Sequence, residues 1–565
     1  MQHNKPIGRK RMITAKRVLL SLLLLLVVLL VWIKMRITVD PPIPVSEKAL
    51  ECNVVKVDST LYSCNGSWMR KSSSGLWELY TQGDPFTRGM SIGKLSQQLV
   101  IEQEKAFVGE IREIIPSTFF INFLRFFIAW FNRDLDTYVD KEFLLEIYGI
   151  SLSASDEFNF IGDKFQRILN YHAAHDIGHA LVEQKMVGCS SFAVWDEFSD
   201  DSSLIIGRNF DFYIGDAFAE NKIICFYHPD SGYNFMMVSW GGMTGVVSGM
   251  NDQGLTISLN AARSEIPSGA ATPISILARE ILQYSKNIDE AYAIAKKRKT
   301  FVSESILIGS SKDHKAVIIE KTPSKCVLYS QSMHRIICTN HFQSDVFQYD
   351  SMNIQQMRES ASMYRYHRME ELMQRFGTFS VQDAAALLRD RGGLNDSNIG
   401  MGNEKSVNQL IAHHSIIFKP EKRQVWVSTA PYQLGKYVAY DLKKVFSKYA
   451  TLQKDSEIYE PQLAIAADTF LLSESYADYV RFRKLKKKMQ KNEAVSEKEI
   501  SEFIAINPEY YDAYRIAGDY LRDAGNYSRA IALYNKALTR EIATLNERRS
   551  IESSVDLCDK KMKND

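Results

Sequence analysis

Net charge is almost missing from this chain: 69 Lys and Arg stand against 67 Asp and Glu, a formal charge of +2 over 565 residues. Nucleic-acid binders carry a clustered basic excess, and none appears here beyond the extreme N-terminus, so that partner class is excluded. Cysteine is scarce and unpatterned. The 7 residues, at positions 52, 64, 189, 225, 326, 338 and 558, form neither a C-x-x-C nor a zinc-type spacing. The H-E-x-x-H pattern of zinc proteases is absent too. With 45% hydrophobic and 24% charged residues the composition is that of a folded protein and says nothing of chemistry. The length exceeds one ordinary core and predicts several units.

What is present begins at the N-terminus. Lys5, Arg9, Lys10, Arg11, Lys16 and Arg17 precede a nearly unbroken apolar run from Val18 to Ile33, which Lys34 and Arg36 close. A spanning helix needs about 20 apolar residues, about 17 at the short end, and flanking Lys and Arg extend the reach by snorkelling. No small-residue cleavage site follows, so the run reads as an uncleaved signal anchor rather than a removed signal peptide. The basic flank predicts a cytoplasmic N-terminus, with everything after about residue 40 periplasmic or extracellular. In such a compartment Cys52 can pair with Cys64, and Cys326 with Cys338 across a possible hairpin; free buried thiols are the equal alternative.

Pro41-Pro42-Ile43-Pro44 makes a stiff exit linker. Residues 50–80 alternate like strands, and a mostly helical region runs to about 185. Within it Phe119–Phe131 is rich in aromatics and too short to span a bilayer. It reads first as a buried helix, and second as a surface for membrane or a lipid-like substrate. From Cys189 to about 440, short β-branched and aromatic runs bounded by turns alternate with helical patterns, which predicts sheets covered by helices. Beyond 440 the chain is helical and charged. Tyr511–Arg540 carries small and aromatic residues at the spacing of one tetratricopeptide-like repeat, expected to pack on its neighbour because lone repeats are rarely stable.

One constellation carries chemistry. Gly188-Cys189 is followed by Gly207-Arg208-Asn209-Phe210-Asp211-Phe212 after a strand, then by a turn feeding a strand that ends at Asn260. Thr339-Asn340-His341 and Ser362-Met363-Tyr364-Arg365 come later. Another cluster, His172, His175 and His179 with Asp176, lies on one helical face at i, i+3 and i+7. A metal site there is conceivable, but a pro-segment helix packing beside the cut is preferred.

In this order the elements resemble the choloylglycine hydrolase and acid-amidase branch of the N-terminal nucleophile (Ntn) hydrolases. The start resembles most closely the penicillin acyltransferase-like (peptidase C45) branch, made as a precursor whose pro-segment ends at Gly-Cys. The resemblance covers roughly 75–435. It implies an α+β, four-layer αββα sandwich. Preceding that are a basic flank and signal-anchor helix (1–40) and a pro-segment (41–188); the core takes 189–440, a helical linker 441–505 and the repeat-like tail 506–565. It also implies cleavage between Gly188 and Cys189, with Cys189 as nucleophile. A freed α-amine, of pKa about 7.7–8.0, can take the thiol proton without a histidine. By the same resemblance Arg208 would lower the thiol pKa and Asp211 would orient the new amine. Asn260 and Asn340 would donate toward an oxyanion, the amine or substrate, and Arg365 would complete the charge network.

The expected activity is hydrolysis of a linear, non-peptide N-acyl amide through a Cys189 thioester, with no cofactor and no metal. Alternatives are an acyltransferase using the same residues, a cell-wall peptide amidase, and a non-catalytic scaffold working through its tail. Expected partners are a small amide or acyl substrate, the membrane through the N-terminal helix, and a protein at the tail.

Overall fold

The computed structural model describes residues 7–44, 52–114, 117–173, 188–265, 269–454 and 456–564. Its strands are β1 (Val55–Lys56), β2 (Leu61–Cys64), β3 (Ser67–Lys71), β4 (Trp77–Gly83), β5 (Ser190–Asp196), β6 (Ser202–Phe210), β7 (Ile223–Pro229), β8 (Phe235–Ser239) and β9 (Ser248–Asn251). Then come β10 (Leu255–Ala261), β11 (Glu304–Ser310), β12 (Lys315–Lys321), β13 (Cys326–Tyr329), β14 (Arg335–Cys338), β15 (His414–Lys419), β16 (Gln424–Ser428) and β17 (Tyr437–Asp441). An 11-stranded sheet has the order β1-β2-β3-β4-β7-β8-β9-β10-β11-β12-β13, and a 6-stranded sheet the order β14-β5-β6-β15-β16-β17.

The two-residue side-chain period of these strands builds the layers. On β6, Leu204 and Ile206 join the core between the sheets, where Ile318 of β12 and Ile416 of β15 meet them. Ile205, one residue out of phase, faces the opposite way and packs with Met369, Leu372 and Leu388 of the helices Ser362–Phe376 and Val381–Leu388. On β11, Ile306 and Ile308 face a third core with Leu277 and Ile281 of the helix Ile274–Tyr284 and with Ile147 and Ile168 from the segment before Gly188. Three apolar cores between four layers make an αββα sandwich.

The segment before Gly188 is woven into this sandwich. Its β4 pairs in parallel with β7, from Trp77 opposite Ile223 to Gly83 opposite Pro229. Asp84 caps the helix Pro85–Leu95 by accepting from Phe86 N (3.1 Å) and Thr87 N (3.2 Å). That helix crosses Lys141–Ser151 so closely that a Cβ at Gly89 would lie 2.1 Å from the Glu146 carbonyl oxygen. At the crossing Glu146 takes bonds from Arg88 (2.9 and 3.0 Å) and from Arg279 (3.1 and 3.2 Å), all three side chains fully buried. Burial alone would raise the Glu146 carboxyl pKa, but Arg279 and Arg88 hold it below the ordinary range.

The first reading of the aromatic segment fails, and the structure decides between open alternatives at two other places. The aromatic helix, Thr118–Phe131, is not buried: Phe120, Phe123, Phe126, Phe127 and Trp130 are 39–58% exposed. Cys326 and Cys338 are free, because β13 and β14 belong to different sheets rather than to one hairpin; Cys52 and Cys64 do form a disulfide. His172 is no ligand, since its Nδ1 faces the Ile168 carbonyl (2.9 Å) and its Nε2 accepts from Thr244 N (2.9 Å), with burial pushing its pKa down to about 4. His175, Asp176 and His179 lie outside the described residues.

The helix Ile7–Ile37 contains a segment, Lys16–Ile37, long and apolar enough to cross a membrane, of mean hydropathy 2.9. The tail packs on the core through Asn507, whose Oδ1 accepts from Met401 N (2.9 Å) and whose Nδ2 donates to the Met401 carbonyl (2.8 Å). Within it Gly518 lets the helices Tyr511–Asp523 and Tyr527–Leu538 meet: a Cβ there would lie 2.7 Å from the Tyr534 ring.

Candidate active site

Gly188 and Cys189 lead directly into β5, the second strand of the smaller sheet, between β14 and β6. Cys189 is 1% exposed. Burial pushes its thiol up to about 11, against the pull of the Arg208 charge. Arg208, on the neighbouring β6, points the same way as Cys189 and places Nη2 3.7 Å from the sulfur. Its guanidinium is held by the Val247 carbonyl (2.8 Å), by Ser248 Oγ and by the Leu259 carbonyl. Behind Ser248 stands His414, whose Nε2 is 2.9 Å from that hydroxyl. Strand pairing of β5 with β6, Ser191 opposite Arg208, fixes this approach.

The peptide bond between Gly188 and Cys189 is gripped from three sides. Gly188 N donates to the Asp211 carbonyl at 3.0 Å. The Gly188 carbonyl oxygen accepts from Arg365 Nη1 and from Gln409 Nε2, the latter at 2.8 Å. Arg365 also donates to the Cys189 carbonyl (3.2 Å), and its Nη2 donates to Asn340 Oδ1 (2.7 Å). A Cβ on Gly188 would come within 2.5 Å of Gln409 Nε2, so only glycine leaves that bond in place.

Asp211 is fully buried, and burial raises its carboxyl to about 7 against the charges of Arg365 and Arg208. Its Oδ2 accepts from Gln409 Nε2 at 3.4 Å, while Oδ1 has no hydrogen-bond partner among the described residues. A buried acceptor without a donor is costly, and such groups concentrate where chemistry is done. A donor arriving here, such as an α-amine at Cys189, would satisfy it.

The two asparagines turn their amides to the backbone. Asn260 Nδ2 donates to the Cys338 carbonyl (2.9 Å), and Asn340 Nδ2 donates to the Ala261 carbonyl (2.9 Å). Their amide donors are taken up by backbone in this uncut chain, and their oxygens serve Ser191 Oγ (2.6 Å) and Arg365. Asn260 thereby ties β10 of the larger sheet to β5 and β14 of the smaller. Asn340 sets the Arg365 fork.

Gln409, the second donor to the Gly188 carbonyl, is the functional side chain that the motifs do not announce. It sits in a loop beside Leu410, whose φ of 56° is rare for a bulky residue. Asn408 Oδ1 accepts from Leu410 N (2.9 Å) and stabilises the kink. Strain of this kind gathers at working sites.

Residues 198–431 match the family model described as acyl-coenzyme A:6-aminopenicillanic acid acyl-transferase. Over that stretch, which is less than half of the chain and begins after Cys189, the sequence is similar to a family of acyltransferases. An uncharacterised protein of Archaeoglobus fulgidus is 26% identical over 259 residues, spanning 42% of this chain and 42% of that relative's length. Among solved structures, an N-acylethanolamine-hydrolyzing acid amidase ortholog of Caenorhabditis elegans is 18% identical with a TM-score of 0.31, covering 41% of this chain and 93% of its own. A conjugated bile acid hydrolase from Clostridium perfringens is 11% identical at the same TM-score of 0.31, covering 45% of this chain and 93% of its own.

Proposed function

We propose that the chain is a membrane-anchored precursor that cuts its own Gly188–Cys189 bond and then works as a cysteine amide hydrolase. The observation that carries this reading is the Gly188 carbonyl oxygen, held by Arg365 and Gln409 one residue before a buried thiol that faces Arg208. Donors aimed at a carbonyl oxygen beside a nucleophile are what an oxyanion needs. An ordinary buried turn has no use for a guanidinium on that atom.

In the first reaction the thiol proton passes to a base; Asp211, held near 7, is suited to receive it. The sulfur attacks the Gly188 carbonyl carbon, and Arg365 and Gln409 take up the oxyanion charge. The C–N bond breaks, the Cys189 amine leaves with a proton, and water hydrolyses the resulting thioester to a Gly188 carboxylate. In the second reaction the new α-amine is the base. Cys189 attacks an amide substrate, releases its amine and holds the acyl group as a thioester. Water resolves it in a hydrolase and an amine does so in an acyltransferase; the same side chains serve both.

A linear N-acyl amide suits the surroundings. The exposed aromatic face of Thr118–Phe131 lies beside the N-terminal helix, with Trp130 and Trp32 ring centroids 6.0 Å apart. Arg36 pairs with Asp134 at 3.2 Å. If Lys16–Ile37 spans the bilayer with its basic end in the cytoplasm, this face lies at the outer membrane surface. There aromatic side chains are at home, and an acyl chain can be taken up. The Cys52–Cys64 disulfide fits an oxidising compartment.

The test is intact-mass spectrometry of the full chain, wild type beside Cys189→Ala, followed by an N-acyl amide screen. Two wild-type fragments meeting at Gly188–Cys189, an uncut variant and turnover by the cut form are expected. A wild-type chain that stays whole and turns over no amide refutes the reading.

A further inference from the structure

At the end of the sandwich remote from Cys189, four turns bring together side chains that the proposed chemistry does not use. Asp196 and Glu197 come from the β5–β6 turn, His314 from the β11–β12 turn, His334 from the link into β14, and Glu421 from the β15–β16 turn. Asp196 closes the strand that Ser190 opens, so at about 3.3 Å per residue the cluster lies roughly 20 Å from the thiol. Donor atoms of Asp196, Glu197 and His334 all lie within 4.8 Å of one another. His334 Nδ1 is 2.6 Å from Glu197 and 3.5 Å from Asp196 Oδ2. His314 Nε2 is 3.0 Å from Asp196 Oδ1, and its Nδ1 is 3.0 Å from Glu421 Oε1.

We propose that this cluster is a binding site for a divalent cation of the zinc class, with Asp196, Glu197, His314 and His334 as ligands and Glu421 behind His314. The charge balance points to a cation. Three carboxylates converge, and among the described residues their ion-pair partners are the two imidazoles alone. The nearby lysines are committed elsewhere: Lys419 and Lys422 both pair with Asp201. Imidazole donors select zinc-like metals over calcium or magnesium. The two histidines differ in a way that fits ligation. His314 stands between two carboxylates, Nε2 3.0 Å from Asp196 Oδ1 and Nδ1 3.0 Å from Glu421 Oε1, so a cation on Asp196 would take Nε2 while Glu421 holds Nδ1–H, the carboxylate–histidine–metal arrangement. Partial exposure of Asp196, His314 and His334 leaves room for water to complete the coordination.

The backbone is arranged for these side chains too. Asp196, His314 and His334 have φ of 50°, 51° and 45°, a region where glycine is cheapest, and none of the three is glycine. A bound cation would clip the β11–β12 turn of the larger sheet to the β5–β6 and β15–β16 turns of the smaller. The sequence predicts no metal because the ligands are scattered over three turns, with only Asp196 and Glu197 adjacent.

The experiment uses the full chain in detergent, stripped with a chelator and dialysed against micromolar zinc sulfate. Bound metal is quantified by mass spectrometry and affinity by competition with a chromophoric chelator. One zinc per chain is expected, with a higher melting temperature when it is bound. His314→Ala and His334→Ala each weaken binding at least tenfold and lose the thermal shift. Glu421→Ala, which removes the carboxylate behind His314, weakens binding by about 10–100-fold. Two controls keep wild-type affinity: Cys189→Ala, and His367→Ala at an exposed His–Glu pair of 3.0 Å elsewhere on the surface. Circular dichroism establishes that each variant is folded; the metal-free wild type, compared with and without zinc, gives the same answer if a variant is not. No zinc retained by the wild type overturns the proposal, as does zinc that follows Cys189, or equal binding by wild type and the folded histidine variants.

Discussion

Replacing Gln409 with methionine tests the proposed self-cleavage most directly. The side chain keeps its length and loses its donor, so the Gly188 carbonyl would be left with Arg365 alone. In the intact chain Gln409 Nε2 sits 2.8 Å from that oxygen and 3.4 Å from Asp211 Oδ2. Deleting one donor from a pre-arranged oxyanion site costs about 2.7–4 kcal/mol, or about 10²–10³ in rate. The lower part of that range applies, because Arg365 brings a full charge and stronger bonds than an amide. The half-time for conversion should therefore lengthen about a hundredfold. The assay follows freshly synthesised full chain under reducing conditions, sampling by intact mass until the two fragments replace the precursor. Arg365→Met in parallel should be slower still. Gln409→Met and Arg365→Met chains that both process within threefold of wild type would refute the argument that these two donors stabilise the oxyanion.

Other outcomes follow from the same geometry. Asp211 must be ionised to accept a proton, so the processing rate should rise with pH through about 7, and Asp211→Asn should be slow at every pH. The sign for stability is opposite: a carboxyl raised by folding binds its proton more tightly folded than unfolded, so it costs stability as pH climbs from about 4 toward 7. Asp211→Asn should then melt higher than wild type at pH 8, as scanning calorimetry would show. Gly188→Ala pushes a methyl to within 2.5 Å of Gln409 Nε2 and should slow cleavage at least tenfold in the intact-mass assay. Glu146→Ala leaves the buried Arg279 without its carboxylate and Arg88 with Glu142 at 3.5 Å, and should cost about 3–5 kcal/mol in urea unfolding. Because the Glu146 carboxyl is held low, its contribution is present above the unfolded pKa and lost as pH falls through the folded one. Phe123→Ser with Phe126→Ser should reduce turnover of long-chain amides more than of short ones in vesicles, and equal loss for both would remove the aromatic helix from substrate entry.

Much of the fold was legible because it is written in local pattern. The strands after Cys189 are short apolar runs buried on both faces, and Ile205 against Leu204 and Ile206 shows the two-residue period separating two cores. Periodicity does not say what lies outside a helix, so Thr118–Phe131 read as buried when its aromatic face is exposed beside the N-terminal helix. The site divides in the same way. Cys189, Arg208 and Asp211 stand on paired strands near in sequence, and the motif brings them together. Gln409 arrives from a loop some two hundred residues later, through a kink at Leu410 that no local pattern predicts. The amides of Asn260 and Asn340 were legible as residues but not as bonds, because the carbonyls they meet belong to distant strands.

The pro-segment and the core share one sheet, and that bears on what a cut could accomplish. β4 pairs with β7 along its whole length, and Arg88 and Arg279 hold Glu146 from opposite sides of the proposed division. Breaking one peptide bond removes none of these contacts, so the two pieces should remain together and co-elute under native conditions. The change is confined to a few atoms. The Gly188 carbonyl leaves the Arg365–Gln409 pair, and a carbonyl of substrate can take the same place. The amide nitrogen of Cys189, unable to act as a base while acylated, becomes an amine beside the unpaired Asp211 Oδ1. One arrangement of donors would thus serve both reactions, with the protein's own peptide as the first substrate. Variants of Arg365 and Gln409 should accordingly impair processing and amide turnover together, whereas Phe123→Ser with Phe126→Ser should leave processing intact.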